Sequence, residues 1–137
     1  MEARVFLSYS SEDGFEASLL QFAVETLLSD RNVKVWTFQR DQARDQKGVA
    51  GSLKTHIRQS RAGVVLISPA TLRFGAAQWM ELAYLDAFEI PIFILLHRVS
   101  FHELKAQKKG VPPLLPESQC NPASEWENVV AALRNYI

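Results

Sequence analysis

Two uninterrupted apolar runs, Val64-Val65-Leu66-Ile67 and Ile92-Phe93-Ile94-Leu95-Leu96, constrain this chain more than any other feature. Neither shows the alternation of a strand with one wet face, so each must be covered on both sides, as in a parallel sheet sandwiched between helices. Between them lie a Ser68-Pro69 stop, a loop reaching to about Ala77, and a helical segment carrying Trp79, Glu81, Tyr84 and Leu85. The pattern is that of a β-α-β unit. Ala77, Tyr84, Leu85 and Phe88 share Glu81's side of the helix at three- and four-residue spacing, and Glu81 is the only charge among them. A carboxylate on an apolar face is costly unless a polar cleft or a specific partner receives it, which makes Glu81 the first candidate for chemistry.

The flanking segments continue the alternation of strand and helix. Val5-Phe6-Leu7 forms a short strand that runs into Ser8-Tyr9-Ser10-Ser11, and Ser10 or Asp13 is placed to cap the next helix. That helix has Phe15, Leu19, Phe22, Ala23 and Leu27 as its apolar stripe, the side expected to face the core. A turn through Leu28 to Asn32 leads to a second strand, Val33 to Phe38. Gln39 to Gly48 then offers no apolar face, a polar loop long enough to be functional rather than merely connective. Val49, Leu53 and Ile57 mark the following helix, which closes at Ser60-Arg61-Ala62-Gly63.

Beyond Leu96 the spacing predicts a short helix around Phe101 to Ala106, Pro-rich coil from Val111 to Gln119, and a short fifth strand near Ser118 to Cys120. The last helix opens on Ser124 and Glu127 as a capping box and buries Trp126, Val129, Val130, Leu133 and Ile137. Right-handed crossovers then give one domain over residues 1–137, a three-layer α/β/α sandwich of flavodoxin-like plan with a parallel sheet of four to five strands. Such sheets bind ligands at the carboxyl ends of their strands. Those ends here present Ser8 to Ser11, Phe38 to Asp41, Ser68 to Thr71 and His97.

Composition narrows the function. Fifteen basic residues balance fifteen acidic ones, so no electrostatic footprint marks a partner nucleic acid or anionic membrane. The longest apolar run is too short to span a bilayer and Met1-Glu2-Ala3-Arg4 lacks a signal-peptide start, so a cytoplasmic chain is expected. Cys120 is the only cysteine, and His56, His97 and His102 show no metal-ligand spacing, so no metal is expected. There is no glycine-rich dinucleotide turn after the first strand, no phosphate loop and no GxSxG. Glu12 and Asp13 imitate the acidic pair of a receiver domain, but Ser68 stands where its aspartate belongs.

Three stretches carry a family resemblance. Val5-Phe6-Leu7-Ser8-Tyr9-Ser10 is similar to the opening of Toll/interleukin-receptor (TIR) domains, Val64-Val65-Leu66-Ile67-Ser68-Pro69 resembles their central strand, and Trp79-Met80-Glu81-Leu82 looks like their tryptophan and glutamate helix. The resemblance runs from about Arg4 to Leu96 and puts Gln39 to Gly48 at the family's BB loop. It implies two kinds of function. Many bacterial, plant and axonal members cleave NAD+ between nicotinamide and ribose, whereas most animal receptor and adaptor members are signalling scaffolds that act through homotypic contacts.

Read as the first kind, and as a prokaryotic member, the chain uses NAD+ as substrate with no cofactor, by hydrolysis or cyclisation, in an immune or cell-suicide response. Self-assembly activates it, and a fused or separate sensor domain triggers it. Glu81 is then the catalytic carboxylate, beside the developing positive charge of the ribose. Ser8, Tyr9, Ser10, Trp36, Phe38, Arg40, Asp41, Ser68 and Trp79 are the substrate-binding set, and Arg44, Asp45, Lys47 and Gly48 serve self-association.

The sequence departs from the family in two places. The tryptophan stands two positions before Glu81 rather than four, and aligning on it would put Ala83 at the catalytic position. A basic residue is absent at Ser10 and Ser11, so Arg40 or Arg44 would have to meet the phosphates. Bland roles stand beside the functional ones: Ser8 and Tyr9 as strand-end polar groups, Trp79, Trp36 and Phe38 as packing.

Overall fold

The structure, a computed structural model, describes residues 2–37, 49–74, 76–106 and 120–137, with the side chains of 49–52, 74 and 76 left aside. Phe38, Arg40, Asp41, Arg44, Asp45, Lys47 and Gly48 lie outside the described residues. In chain order the elements are β1 (Ala3–Ser8), α1 (Gly14–Leu27), β2 (Val33–Trp36), α2 (Val49–Arg58), β3 (Ala62–Ile67) and α3 (Pro69–Phe74). There follow α4 (Ala76–Ala87), β4 (Ile92–Leu96), α5 (Phe101–Ala106), β5 (Cys120–Pro122) and α6 (Trp126–Leu133). Five strands form one parallel sheet in the order β2-β1-β3-β4-β5. This is the flavodoxin-like plan expected from the alternating pattern.

The sheet separates two dry layers. On one face α1 and α6 bring Ala17, Val24, Val129 and Leu133 against Val5, Leu7, Val64 and Leu66. On the other, α2, α4 and α5 bring Leu53, Ile57, Leu82, Leu85 and Leu104 against Phe6, Val65, Ile67 and Ile94. Because neighbouring residues of a strand point to opposite faces, the continuous run of β3 feeds both layers at once.

Three local expectations are revised. The Ser68-Pro69 stop begins a helix: Pro69 opens α3, the Ser68 hydroxyl accepts the Ala70 N–H at 3.1 Å, and Thr71 Oγ1 accepts the Ser68 N–H at 3.1 Å. A proline with preset φ behind a serine acceptor is a helix start as much as a strand stop. The expected caps differ too. α1 and α6 begin at Gly14 and Trp126 without a side-chain cap hydrogen bond, and the Asp13 carboxylate instead accepts the Ser68 hydroxyl.

The third revision concerns α1, whose inward side is Ala17, Val24 and, just past its end, Leu28, with Leu20 packed against them. Phe15, Leu19, Phe22 and Leu27 are 49–74% exposed. Both stripes repeat at helical spacing. The smaller residues won the core side, since Ala17 and Val24 allow closer approach to the sheet than phenylalanine would.

Gly63 fixes how closely α4 lies on β3. A Cβ there would fall 2.7 and 2.8 Å from the Leu85 methyl carbons, and Leu85 is fully buried. Gly63→Ala is therefore expected to lose about 1–3 kcal/mol by overpacking, and Leu85→Ala about 2–5 kcal/mol by the cavity it leaves. In the double variant the added methyl enters that cavity, so its loss of stability in urea unfolding should be smaller than the two single losses combined.

Candidate active site

The strand order reverses between β1 and β3, the position where sheets of this plan leave a crevice beyond the carboxyl ends of their strands. Ser8 ends β1 and pairs in register with Val65 of β3, so its side chain emerges at that point on the α4 face of the sheet. There the Ser8 hydroxyl donates to Glu81 Oε1 at 2.6 Å. Glu81 is 6% exposed and Ser8 1%. Burial raises the Glu81 carboxyl from its ordinary value of 4.5 to about 7, with the Ser8 hydrogen bond pulling the other way. The carboxyl thus changes charge near neutrality, in a place that water scarcely reaches.

A buried polar network holds α4 in place. Gln78, one turn before Glu81 on the same side, donates to the Leu66 carbonyl at 2.9 Å and accepts the Thr71 hydroxyl at 2.7 Å. Thr71 in turn accepts from the Ser68 amide, and the Ser68 hydroxyl donates to Asp13 Oδ2 at 2.5 Å. Gln78, Thr71, Ser68 and Asp13 are all buried. The carboxyl end of β3, the turn before α1, and helices α3 and α4 are thereby joined through side chains, and the Ser8–Glu81 bond adds the end of β1. Among the described residues every buried side-chain nitrogen and oxygen has a partner.

The proposed set divides under this geometry. Ser8 and Glu81 are in contact, and Ser68 belongs to the network beside them. Ser10 is buried and its carbonyl accepts the Asp13 N–H at 2.8 Å. Tyr9, next to Ser8 along the chain, packs into the opposite core layer with α1 and α6. Trp36 lies on the Glu81 face of the sheet but is enclosed, its ring stacked 5.4 Å from Phe6 and 4.0 Å from His56. Trp79 is half-buried and packs against the Glu81-side layer, whereas Ala83 is exposed.

Sequence reasoning missed Gln78, read Asp13 as a cap, and placed Thr71 at a strand end without including it in the binding set. Gln78 was open to detection: a second polar residue three positions before Glu81 repeats the same anomaly on one helix side. Asp13 carried no such signal, because its partner is 55 residues away.

No family model matches the sequence, and no curated protein matches it. Solved structures do. A metazoan TIR-STING receptor from C. gigas superposes with a TM-score of 0.66 at 16% identity over 97% of this chain and 40% of the receptor. The TIR domains of the activated Roq1 resistosome, which directly recognises the pathogen effector XopQ, give 0.59 at 16% identity over 95% of this chain and 71% of that one. A 2-desoxiribosyltransferase from Leishmania mexicana gives 0.53 at 14% identity over 69% and 64%. The chain spans less than half the length of the first of these and about two thirds of the other two. Among the described residues no helix is long and apolar enough to cross a membrane. The strand order, the helix carrying Glu81 and these superpositions agree: the chain has the TIR-domain fold.

Proposed function

We propose that this chain cleaves the bond between nicotinamide and ribose in NAD+, with Glu81 as the catalytic carboxylate. The observation that carries the reading is a carboxyl held out of water on a largely apolar helix side, where burial raises it to about 7 and its partner among the described residues is the Ser8 hydroxyl. A side chain kept at such cost at the carboxyl end of a parallel sheet fits chemistry better than structure. A deoxyribosyltransferase among the superposed structures supports glycosyl chemistry on this architecture.

In the reaction, the bond between the ribose C1′ and the pyridine nitrogen breaks and its electron pair leaves with neutral nicotinamide. Positive charge builds on the ribose. Ionised Glu81 stabilises that charge and orients a ribose hydroxyl, in a site dry enough to make the attraction strong. Water, or a nucleophilic atom of the substrate itself, then adds at C1′ and loses a proton. The receptor and the effector-recognising resistosome among the superposed structures support a setting in immunity; in this reading the response is cell suicide and the site is completed on self-assembly. The competing reading is a scaffold that assembles without cleaving.

Nicotinamide release by the purified domain, at high concentration and under forced assembly, separates the two. The enzyme reading expects release that Glu81→Gln abolishes; silence of the wild-type chain in both conditions supports the scaffold. The pH profile is a sharper check. Release should rise as Glu81 ionises through pH about 7, and Ser8→Ala, which removes the donor that stabilises the anion, should move that rise to higher pH.

Stability should run in the opposite direction. Below about pH 4.5 Glu81 is protonated whether the chain is folded or not. Between about 4.5 and 7 only the unfolded chain releases the proton, so folding weakens, and above about 7 the loss is constant. Glu81→Gln removes this term. The variant is expected to match the wild type in urea at pH 4 and to exceed it at pH 8 by up to about 3 kcal/mol.

A further inference from the structure

We propose that the cleft between α1 and α6, on the side of the sheet away from Glu81, binds a small uncharged aromatic ring bearing an amide-type edge, a donor N–H beside an acceptor. The proposal concerns a second site and does not rest on NAD+ cleavage. Arg134, just beyond α6, ties one end of the two helices together, its guanidinium donating to the Leu27 carbonyl at 3.0 Å and to Asp30 at 2.7 Å. Toward the carboxyl ends of the strands the helices part. A cavity of about 380 Å³ opens there, with Leu19, Leu20, Ala23 and Trp126 as walls and Leu66 and Leu95 as floor. Small-molecule pockets measure about 300–1,000 Å³ and are mainly apolar, with a few polar groups that fix the ligand's orientation.

Here the polar groups are Glu16, in the first turn of α1, and His97, which follows β4; both line the cavity. His97 stands two positions after Leu95 and so falls on the same face of the sheet. Its N–H donates to the Ile67 carbonyl at 2.7 Å, which carries the residue on an extension of the β3–β4 ladder. The Glu16 and His97 side chains are 33% and 30% exposed, and Glu16 Oε2 lies 3.8 Å from His97 Nε2. That separation is beyond hydrogen-bond reach. Among the described residues neither side chain hydrogen-bonds to another group, so both keep their capacity for a ligand.

The pair identifies the ligand's chemistry. We assign a proton to His97 Nε2 from the carboxylate opposite, and that nitrogen is a donor whether or not the imidazole carries its second proton. An acceptor and a donor therefore stand side by side. A ligand edge with the complementary order closes both bonds at once, whereas an anion would face the Glu16 carboxylate and a cation the His97 donor. Behind that edge the cavity is apolar, and Trp126 gives its wall an aromatic surface for a ring. A purine base with an amino group beside a ring nitrogen carries this edge, and so does an aromatic carboxamide.

Ligand-observed NMR titration of the purified chain tests the site, with adenine and benzamide as probes for the two sources and their N,N-dimethyl derivatives as the same rings without the donor. Circular dichroism shows that each variant remains folded. At least one of the two probes is expected to bind with a Kd of about 1 mM or below, and its dimethyl derivative at least tenfold more weakly; the probe that binds identifies the source. Glu16→Leu and His97→Leu each remove half of the polar pair and should weaken binding at least tenfold. Ala23→Trp fills the cavity and should abolish binding, while Glu81→Gln should leave it unchanged. The proposal fails if neither probe binds, if the dimethyl derivatives bind as well as their parents, or if Ala23→Trp binds like the wild type. Binding that Glu81→Gln abolishes also overturns it, because the ring then sits on the other side of the sheet. None of these readings depends on nicotinamide release.

Discussion

The hydrogen bond from Ser8 to Glu81 joins the two halves of this molecule's logic, since one partner ends the first strand and the other sits on the helix behind the third. It can form only if β1 and β3 are neighbours, if they are parallel, and if α4 lies close over their carboxyl ends. Each condition has its own residue-level cause. Unbroken apolar runs make the strands parallel and doubly covered, and the missing side chain at Gly63 lets Leu85 bring α4 down onto β3. Burial pushes the Glu81 carboxyl toward the neutral form while the hydroxyl favours the anion, and the balance falls near pH 7.

A carboxyl so poised would be of little use on a helix free to rock. The chain Leu66 carbonyl–Gln78–Thr71–Ser68–Asp13 prevents this by linking α4 and α3 to the end of β3 and to the turn before α1 through buried, fully satisfied groups. Networks of this kind are stabilising only when every member is paired, and then they specify one arrangement rather than many. The placement of Glu81 is thus set by polar contacts one turn away, not by the apolar contacts of Leu82 and Leu85 alone. Hydrophobic packing holds the helix down; the network chooses its register.

How far this could be read from the sequence follows the range of each interaction. The sandwich, the parallel sheet and the short helix at Phe101–Ala106 were legible, because apolar periodicity is local and each segment carries its own copy of the signal. Glu81 was legible for the same reason, as one charge in a local apolar pattern. Its partner Ser8 appeared only within a polar strand end, and strand geometry divides that end: Ser8 and Tyr9 must face opposite layers, so both cannot serve one site from the sheet. Trp36 shows another limit. Its side of the sheet followed from alternation, but its enclosure by Phe6 and His56 depends on contacts with residues 30 and 20 positions away along the chain. The Asp13 to Ser68 contact is of the same long-range kind, and a capping motif was the nearer reading.

Helix α1 failed for a different reason, and the failure is informative. Its sequence carries two apolar stripes, and periodicity cannot rank them. Ala17, Val24 and Leu28 went inward although Phe15, Leu19 and Phe22 are the larger residues. Hydrophobicity alone would have reversed that choice, so closeness of packing decided it. A helix of small residues lies flatter on a twisted sheet and leaves its large residues outside, where they cost solubility unless something covers them. The sheet stands between that exposed side and Glu81, so a contact on α1 can change without moving the Ser8–Glu81 pair directly. The described structure offers one link between the two faces in the turn before α1, where Asp13 is bound to Ser68 while the next residues begin the helix that carries Phe15.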